Sequence, residues 1–396
     1  MDDRSPAPRR RPHRPWWQRL RWDRLAILLT PPTLLVVVIG LLLVDDSNTV
    51  ATPDRTPTST TTTTWRVPRT SCRAVSAFTQ HQKLAQLVMV TLKDVTPAEV
   101  SGFTSRDDAP GGLFFPKFPL DPGAITAISA DLAAYPGLAA IDDEGGRVNR
   151  LAAANYPSAR KQAATLSLDE VRALGAARAA ALRSLGVNMD LAPVVDVSSE
   201  PDAGPIGDRS YSDDPKAVIR NAGAFAVGLR SGGVLPTLKH FPGHGRASGD
   251  SHSGVVTTPS WASLKQVDLA PYRPILKQGT AAVMVGHLDV PGLTEANTPA
   301  SLSPAAYRAL RKVIGFAGLA ITDDIGGMGA VTTRYSTADA VVLALVAGAD
   351  LALVAPPSAY DAVLTRLDAA VTSGQLTTAR VDEAFGRVRA AQGCPG

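Results

Sequence analysis

Eight short apolar runs alternate with longer amphipathic ones along most of this chain, and that alternation restricts the fold more than any other feature. The runs are Leu87–Leu92, Gly112–Phe115, Leu138–Asp142, Val187–Leu191, Val234–His240, Ala282–Leu288, Leu319–Asp323 and Leu351–Val354. They are short and nearly continuously apolar, as strands covered on both faces are. Helix-like segments fall between them: Leu168–Leu185, Pro215–Leu229, Ser263–Lys277, Pro304–Val313, Thr337–Ala347 and Ala362–Val371. The apolar stripe of Leu168–Leu185 reads as core and nothing more. Eight strands alternating with helices predict an α/β fold, a TIM-like (β/α)8 barrel, as a single domain over residues 71–396.

The first 70 residues read differently. Residues 1–24 hold eight Arg and three Asp, a net +5, and so leave −1 of the whole-chain +4 for everything that follows. The basic balance therefore belongs to a cytoplasmic tail, and the near-neutral remainder argues against nucleic-acid binding. Leu25–Val44 carries no charge and is about the ~20 residues that span a bilayer. Trp16, Trp17 and Trp22 flank it on the Arg-rich side, so the reading is an uncleaved single-pass anchor with its N-terminus inside. A cleaved signal sequence, giving a secreted protein, is the alternative, but the run is long for that and no A-x-A site precedes Asp45. Residues 45–70 are rich in Thr and Pro and form a linker with nothing apolar to bury.

The chain has two cysteines, Cys72 and Cys394, near the two ends of the expected barrel. Neither lies in a metal-ligand spacing, so no metal site is expected. An extracytoplasmic domain favours a disulfide between them.

Chemistry-bearing residues collect where the expected strands end, which is the catalytic face of a barrel. The third strand runs into I-D-D-E-G-G-R-V-N-R, placing Asp142, Arg147 and Arg150. The fourth is followed by P-I-G-D-R-S-Y, with Arg209. The fifth delivers Lys239 and His240, then opens into P-G-H-G-R-A-S-G-D-S-H, which ends in Asp250 and His252. The seventh closes on T-D-D, with Asp323 at its tip. No nucleotide-binding glycine fingerprint and no G-x-S-x-G elbow is present. An Asp facing a His that is itself paired with an Asp suits displacement at a sugar carbon: the carboxylate attacks, and the imidazole supplies the proton to the leaving oxygen.

The string K-H-F-P-G-H-G-x4-D-S-H, with D-x-E-G-G-R-V-x-R before it and T-D-D-x-x-x-M-G-A after it, resembles glycoside hydrolase family 3. The resemblance is to its β-N-acetylhexosaminidase branch, acting on peptidoglycan fragments, and it runs from about residue 78 to 391. It implies that Asp323 is the nucleophile, His252 the acid/base and Asp250 its orienting partner on a mobile loop. Asp142, Arg150, Arg209, Lys239 and His240 would hold a terminal N-acetylglucosamine. It implies a retaining exo-glycosidase with no cofactor, acting on a carbohydrate substrate, and the catalytic domain is expected to be monomeric.

Some neighbours receive plainer readings. His244 is expected to satisfy backbone carbonyls between two glycines, and Glu144 to brace its turn, with Arg147 as its partner. His287 is expected outside the pocket. Asp324 is a capping residue, and Ile325-Gly326-Gly327 is expected to loosen the loop carrying Asp323. Asp143 stands where many relatives carry an amide or His. The competing functions are a β-glucosidase or a β-N-acetylglucosaminide phosphorylase on the same barrel, and a wall-binding module without hydrolysis.

Overall fold

The structure is a computed structural model that describes residues 72–119, 121–151 and 155–394. The expected tail, anchor and linker at 1–24, 25–44 and 45–70 lie outside the described residues. Among the described residues, no helix is long and apolar enough to cross a membrane.

The strands are β1 (Val88–Thr91), β2 (Gly112–Phe115), β3 (Leu138–Ile141), the short pair β4 (Asp143–Gly145) and β5 (Val148–Asn149), β6 (Met189–Asp190), β7 (Leu235–Phe241), β8 (Ala282–Val285), β9 (Ala320–Thr322) and β10 (Ala352–Val354). Eight of them form one parallel sheet in the order β10-β1-β2-β3-β6-β7-β8-β9. The sheet nearly closes on itself through a parallel bridge between Ile321 and Leu351. There the amides of Asp350 and Leu351 donate to the Ala320 carbonyl. This is the expected (β/α)8 barrel, and each of the eight expected strands is present. Every residue of β2, β3, β8, β9 and β10 is buried, because one face meets the barrel interior and the other the helices.

The helices start where the sequence supplies caps. Ser167 and Glu170 form a capping box on Leu168–Ser184, and Asp214 caps Pro215–Ser231 with Pro at its first turn. These two helices pack closely because Gly175 and Gly228 face each other. A Cβ at Gly228 would stand 2.2 Å from the Arg172 carbonyl oxygen. The expected helix Ser263–Lys277 is instead two pieces, Trp261–Gln266 and Tyr272–Leu276. Pro271 has no N–H to continue the first piece, and it begins the second. Helix Pro304–Ala309 passes into a π-turn, Leu310–Ile314, which ends at Gly315 with φ 77°.

Cys72 and Cys394 are joined by a disulfide. It ties the first described residues to the end of the last helix, Thr378–Ala391, where Arg389 also donates to the Arg73 carbonyl.

Candidate active site

The C-terminal rim of the barrel holds a cavity of about 250 Å³, and all eight residues singled out in the sequence line it: Asp142, Arg150, Arg209, Lys239, His240, Asp250, His252 and Asp323. Phe114, Leu191, Met284 and Leu353 supply apolar lining.

β7 is the stem of the site. Its peptides Lys239–His240 and Phe241–Pro242 are cis. Lys239 Nζ lies 2.5 Å from Asp142 Oδ1 and 2.7 Å from Glu144 Oε1. Glu144 in turn accepts from Arg209 Nε at 2.7 Å and Nη2 at 2.8 Å. The result is a ladder of alternating charge, Asp142–Lys239–Glu144–Arg209, buried at its two middle members. Burial alone would raise the Glu144 carboxyl, but the two cations hold it well below its ordinary range. Lys239 is likewise buried, a change that lowers an amine, and Asp142 and Glu144 reverse it to a net rise.

The first of three corrected expectations lies here. Glu144 pairs with Arg209 and Lys239, whereas Arg147 pairs with Asp208 at 3.1 Å and reaches the carbonyls of Gly204, Pro205 and Ile206. The reason is strand alternation: in β4, Asp143 and Glu144 point to opposite faces. Asp143 therefore leaves the cavity and pairs with Arg178 at 2.6 Å behind it. Burial pushes Asp143 up to about 6 in spite of Arg178.

His240 is held by Asp196, a residue the sequence reading missed. Asp196 Oδ2 lies 2.7 Å from His240 Nδ1, and Oδ1 accepts the His244 amide at 2.7 Å. The signal was an Asp ending the run V-V-D. Pro193, after a cis peptide, separates that run from β6 and hid it as a strand end. His244 is the second correction. It lines the cavity, and its Nε2 is 3.2 Å from Ser251 Oγ, so it meets a side chain of the catalytic loop rather than backbone carbonyls.

Asp323 follows β9 directly, mostly buried and open to the cavity. The Asp324 amide donates to its Oδ1 at 3.0 Å. Burial works to raise Asp323, but His240, His287 and that amide outweigh it and leave its carboxyl below the ordinary value. Its loop is pinned rather than loosened by the glycines. Asp324 Oδ1 accepts from the amides of Gly326, Gly327 and Ala355, and a Cβ at Gly326 would collide with the Ala355 carbonyl. His287 is buried and stays out of the cavity lining, between Ser301 Oγ at 2.6 Å and the Asp324 carbonyl at 3.0 Å.

Asp250 and His252 form a dyad in one turn. His252 Nδ1 lies 2.7 Å from Asp250 Oδ1, and the His252 amide donates to the same oxygen at 3.0 Å. Those two contacts outweigh partial burial and lower the Asp250 carboxyl. The His252 side chain is 67% exposed, so its ring is free to meet a substrate.

The profile of the glycosyl hydrolase family 3 N-terminal domain matches residues 120–391. The chain belongs to glycoside hydrolase family 3. Within that family it falls with the β-hexosaminidases, and it is a glycosidase. β-Hexosaminidase LpqI of Mycobacterium tuberculosis is 44% identical over 326 residues, covering 78% of this chain and 82% of that protein. A family 3 glycosyl hydrolase of Mycobacterium smegmatis has a solved structure that superposes with a TM-score of 0.76 at 45% identity, over 81% of this chain and 98% of that one. The family 3 β-N-acetylglucosaminidase of Paenibacillus sp. superposes with a TM-score of 0.72 at 32% identity, over 80% of this chain and 62% of that one. The glycosidase thus shares its barrel with proteins named for the chemistry that its rim residues suggest.

Proposed function

We propose that this glycosidase is a retaining exo-β-N-acetylglucosaminidase that removes terminal non-reducing N-acetylglucosamine from peptidoglycan fragments. Asp323 attacks the anomeric carbon as its bond to the leaving oxygen breaks, giving a glycosyl ester. His252 Nε2 delivers a proton to that oxygen, while Asp250 holds Nδ1 and stabilises the imidazolium. The neutral His252 then takes a proton from water, which displaces Asp323 and restores the original anomeric configuration. Asp142, Arg150, Arg209, Lys239 and His240 hold the sugar hydroxyls and acyl group. The observation that carries this reading is that a carboxylate kept ionised, Asp323, and an accessible imidazole already paired with a carboxylate, His252, line one small cavity.

The domain is placed outside the cytoplasm, tethered by residues 25–44. The Arg-rich flank of that run and the Cys72–Cys394 disulfide support this, since disulfides persist in oxidising compartments.

The test compares 4-methylumbelliferyl N-acetylglucosaminide and glucoside, each with and without phosphate. A slow fluoro-sugar substrate then traps the intermediate for peptide mapping. Hydrolysis of the N-acetylglucosaminide without phosphate, and a sugar on Asp323, are expected. Preference for the glucoside, dependence on phosphate, or a label on another side chain would overturn the reading.

A further inference from the structure

His244 plays no part in the steps above, yet it is buried against the turn that carries His252. Its Nε2 is 3.2 Å from Ser251 Oγ, its Nδ1 is buried without a hydrogen-bond partner, and its amide is fixed on Asp196. Ser251 is 2% exposed although it sits between two residues that face solvent. The same turn is bound from the other side by backbone. The Gly329 amide donates to the His252 carbonyl at 3.1 Å, and the Ala330 amide to the Ser251 carbonyl at 3.3 Å. A Cβ at Gly329 would stand 3.1 Å from the His252 carbonyl oxygen and 3.1 Å from the Ser253 carbonyl carbon.

These contacts answer a positional problem. The His252 ring is too exposed to be fixed by packing, and Asp250 travels on the same turn, so the dyad cannot locate itself over the cavity. The loop leading to it contains Gly243 at φ 134° and Gly249 at φ 146°, a backbone suited to swinging. A general acid must reach the leaving oxygen within hydrogen-bond distance. The turn's height is therefore set by what grips it: His244 on the β7 side, and the Gly329–Ala330 seam on the Asp323 side.

We propose that His244 and Ser251 are positioning residues for the acid step, acting with a tight seam in which a side chain at 329 would press on the turn. The proposal rests on the assignment of His252 as acid/base.

The test measures kcat/KM, which reports the first chemical step, over a series of N-acetylglucosaminides from activated nitrophenyl to unactivated alkyl leaving groups. The variants are Ser251→Ala, His244→Gln and Gly329→Ala, with His252→Ala as reference and Ser251→Thr as the variant that keeps the hydroxyl. Thermal midpoints confirm folding. Displacing the acid by about an ångström should cost about 10- to 100-fold with alkyl leaving groups. The cost with nitrophenyl should be under about threefold, because a good leaving group needs no proton. Ser251→Thr should recover most of the loss. Equal losses across the series, or none, in Ser251→Ala and Gly329→Ala would overturn the positioning role while a selective His252→Ala left the acid assignment standing. A His252→Ala variant without that selectivity would overturn both.

Discussion

Asp196 Oδ2 lies 2.7 Å from His240 Nδ1, and both side chains are buried, with His240 lining the cavity. Because the carboxylate also accepts the backbone amides of His240 and His244, it organises the whole tip of β7. Burial pushes its pKa up, yet His240 and His244 bring it below the ordinary carboxylate range. Asp196→Asn keeps the shape but has one acceptor oxygen for this set of donors. One buried donor is then orphaned, at a cost of about 1–3 kcal/mol. The expected result is a stability loss of that size in urea titration, together with a kcat/KM at least about tenfold lower as His240 loses its fixed tautomer. Unchanged kcat/KM would show that the Asp196–His240 contact has no bearing on catalysis.

The charge ladder predicts a contrast between its buried middle and the mouth of the site. Glu144 joins Arg209 to Lys239, and its side chain is 2% exposed. Glu144→Ala takes from the largely buried Arg209 its carboxylate partner and from Lys239 one of its two, and should destabilise the fold by about 3–5 kcal/mol. Arg150 is exposed at the rim, so Arg150→Ala should change stability by less than about 0.5 kcal/mol. If Arg150 holds the sugar, the same variant raises KM. Denaturant titration of both variants, with initial rates for Arg150→Ala, checks the pair. A Glu144→Ala variant as stable as the parent would contradict the ladder.

Much of this was legible in the sequence because barrel strands, covered on both faces, print as continuous apolar runs. A charged residue ending such a run, as with Lys239 or Asp323, marks the rim. What did not show was any contact that depends on which face a residue takes. Arg147 is nearer to Glu144 in the chain than Arg209 is, yet β4 alternation turns Glu144 toward Arg209. Asp196 ends an apolar run like the others, but Pro193 cut that run away from β6. His244 was legible as a motif residue and misread in role, because Ser251 comes beneath it only when the loop folds back. The break at Pro271 was visible in the residues and was overridden by the helical periodicity around it.

The Cys72–Cys394 disulfide joins residues 322 apart in sequence, so in the unfolded chain it closes a very long loop. The restriction of the unfolded ensemble is worth about 2–5 kcal/mol. Cys72→Ser with Cys394→Ser should lower the free energy of unfolding by that amount and leave kcat/KM unchanged, since the cavity lies at the opposite end of the barrel strands. Chemical denaturation of both forms under non-reducing conditions measures the difference. Equal stability would mean that the clamp constrains nothing that unfolds cooperatively.

The acid groups around the site pull stability in two directions with pH, and the balance is testable. Burial raises Asp324 and Asp143 to about 6, above their unfolded values. A carboxyl raised in this way binds its proton more tightly when folded, so the stability it contributes is present at low pH and lost as pH rises through about 6. Asp323, Asp196 and Glu144 are lowered, so theirs is present above about pH 4 and lost on acidification below it. The sum predicts greatest stability in weakly acidic solution. Going from about pH 8 to about pH 5.5, Asp324 alone should add about 1 kcal/mol. Asp324→Asn tests that share. Its amide oxygen can still accept from Gly326, Gly327 and Ala355, and its NH2 can donate to the Thr91 hydroxyl that now faces Oδ2. The variant should therefore fold normally while losing about 1 kcal/mol of the gain between the two pH values. A pH profile identical to the parent's would show that Asp324 is already ionised at pH 5.5 in the folded protein, and that its burial is compensated by the three amides it accepts.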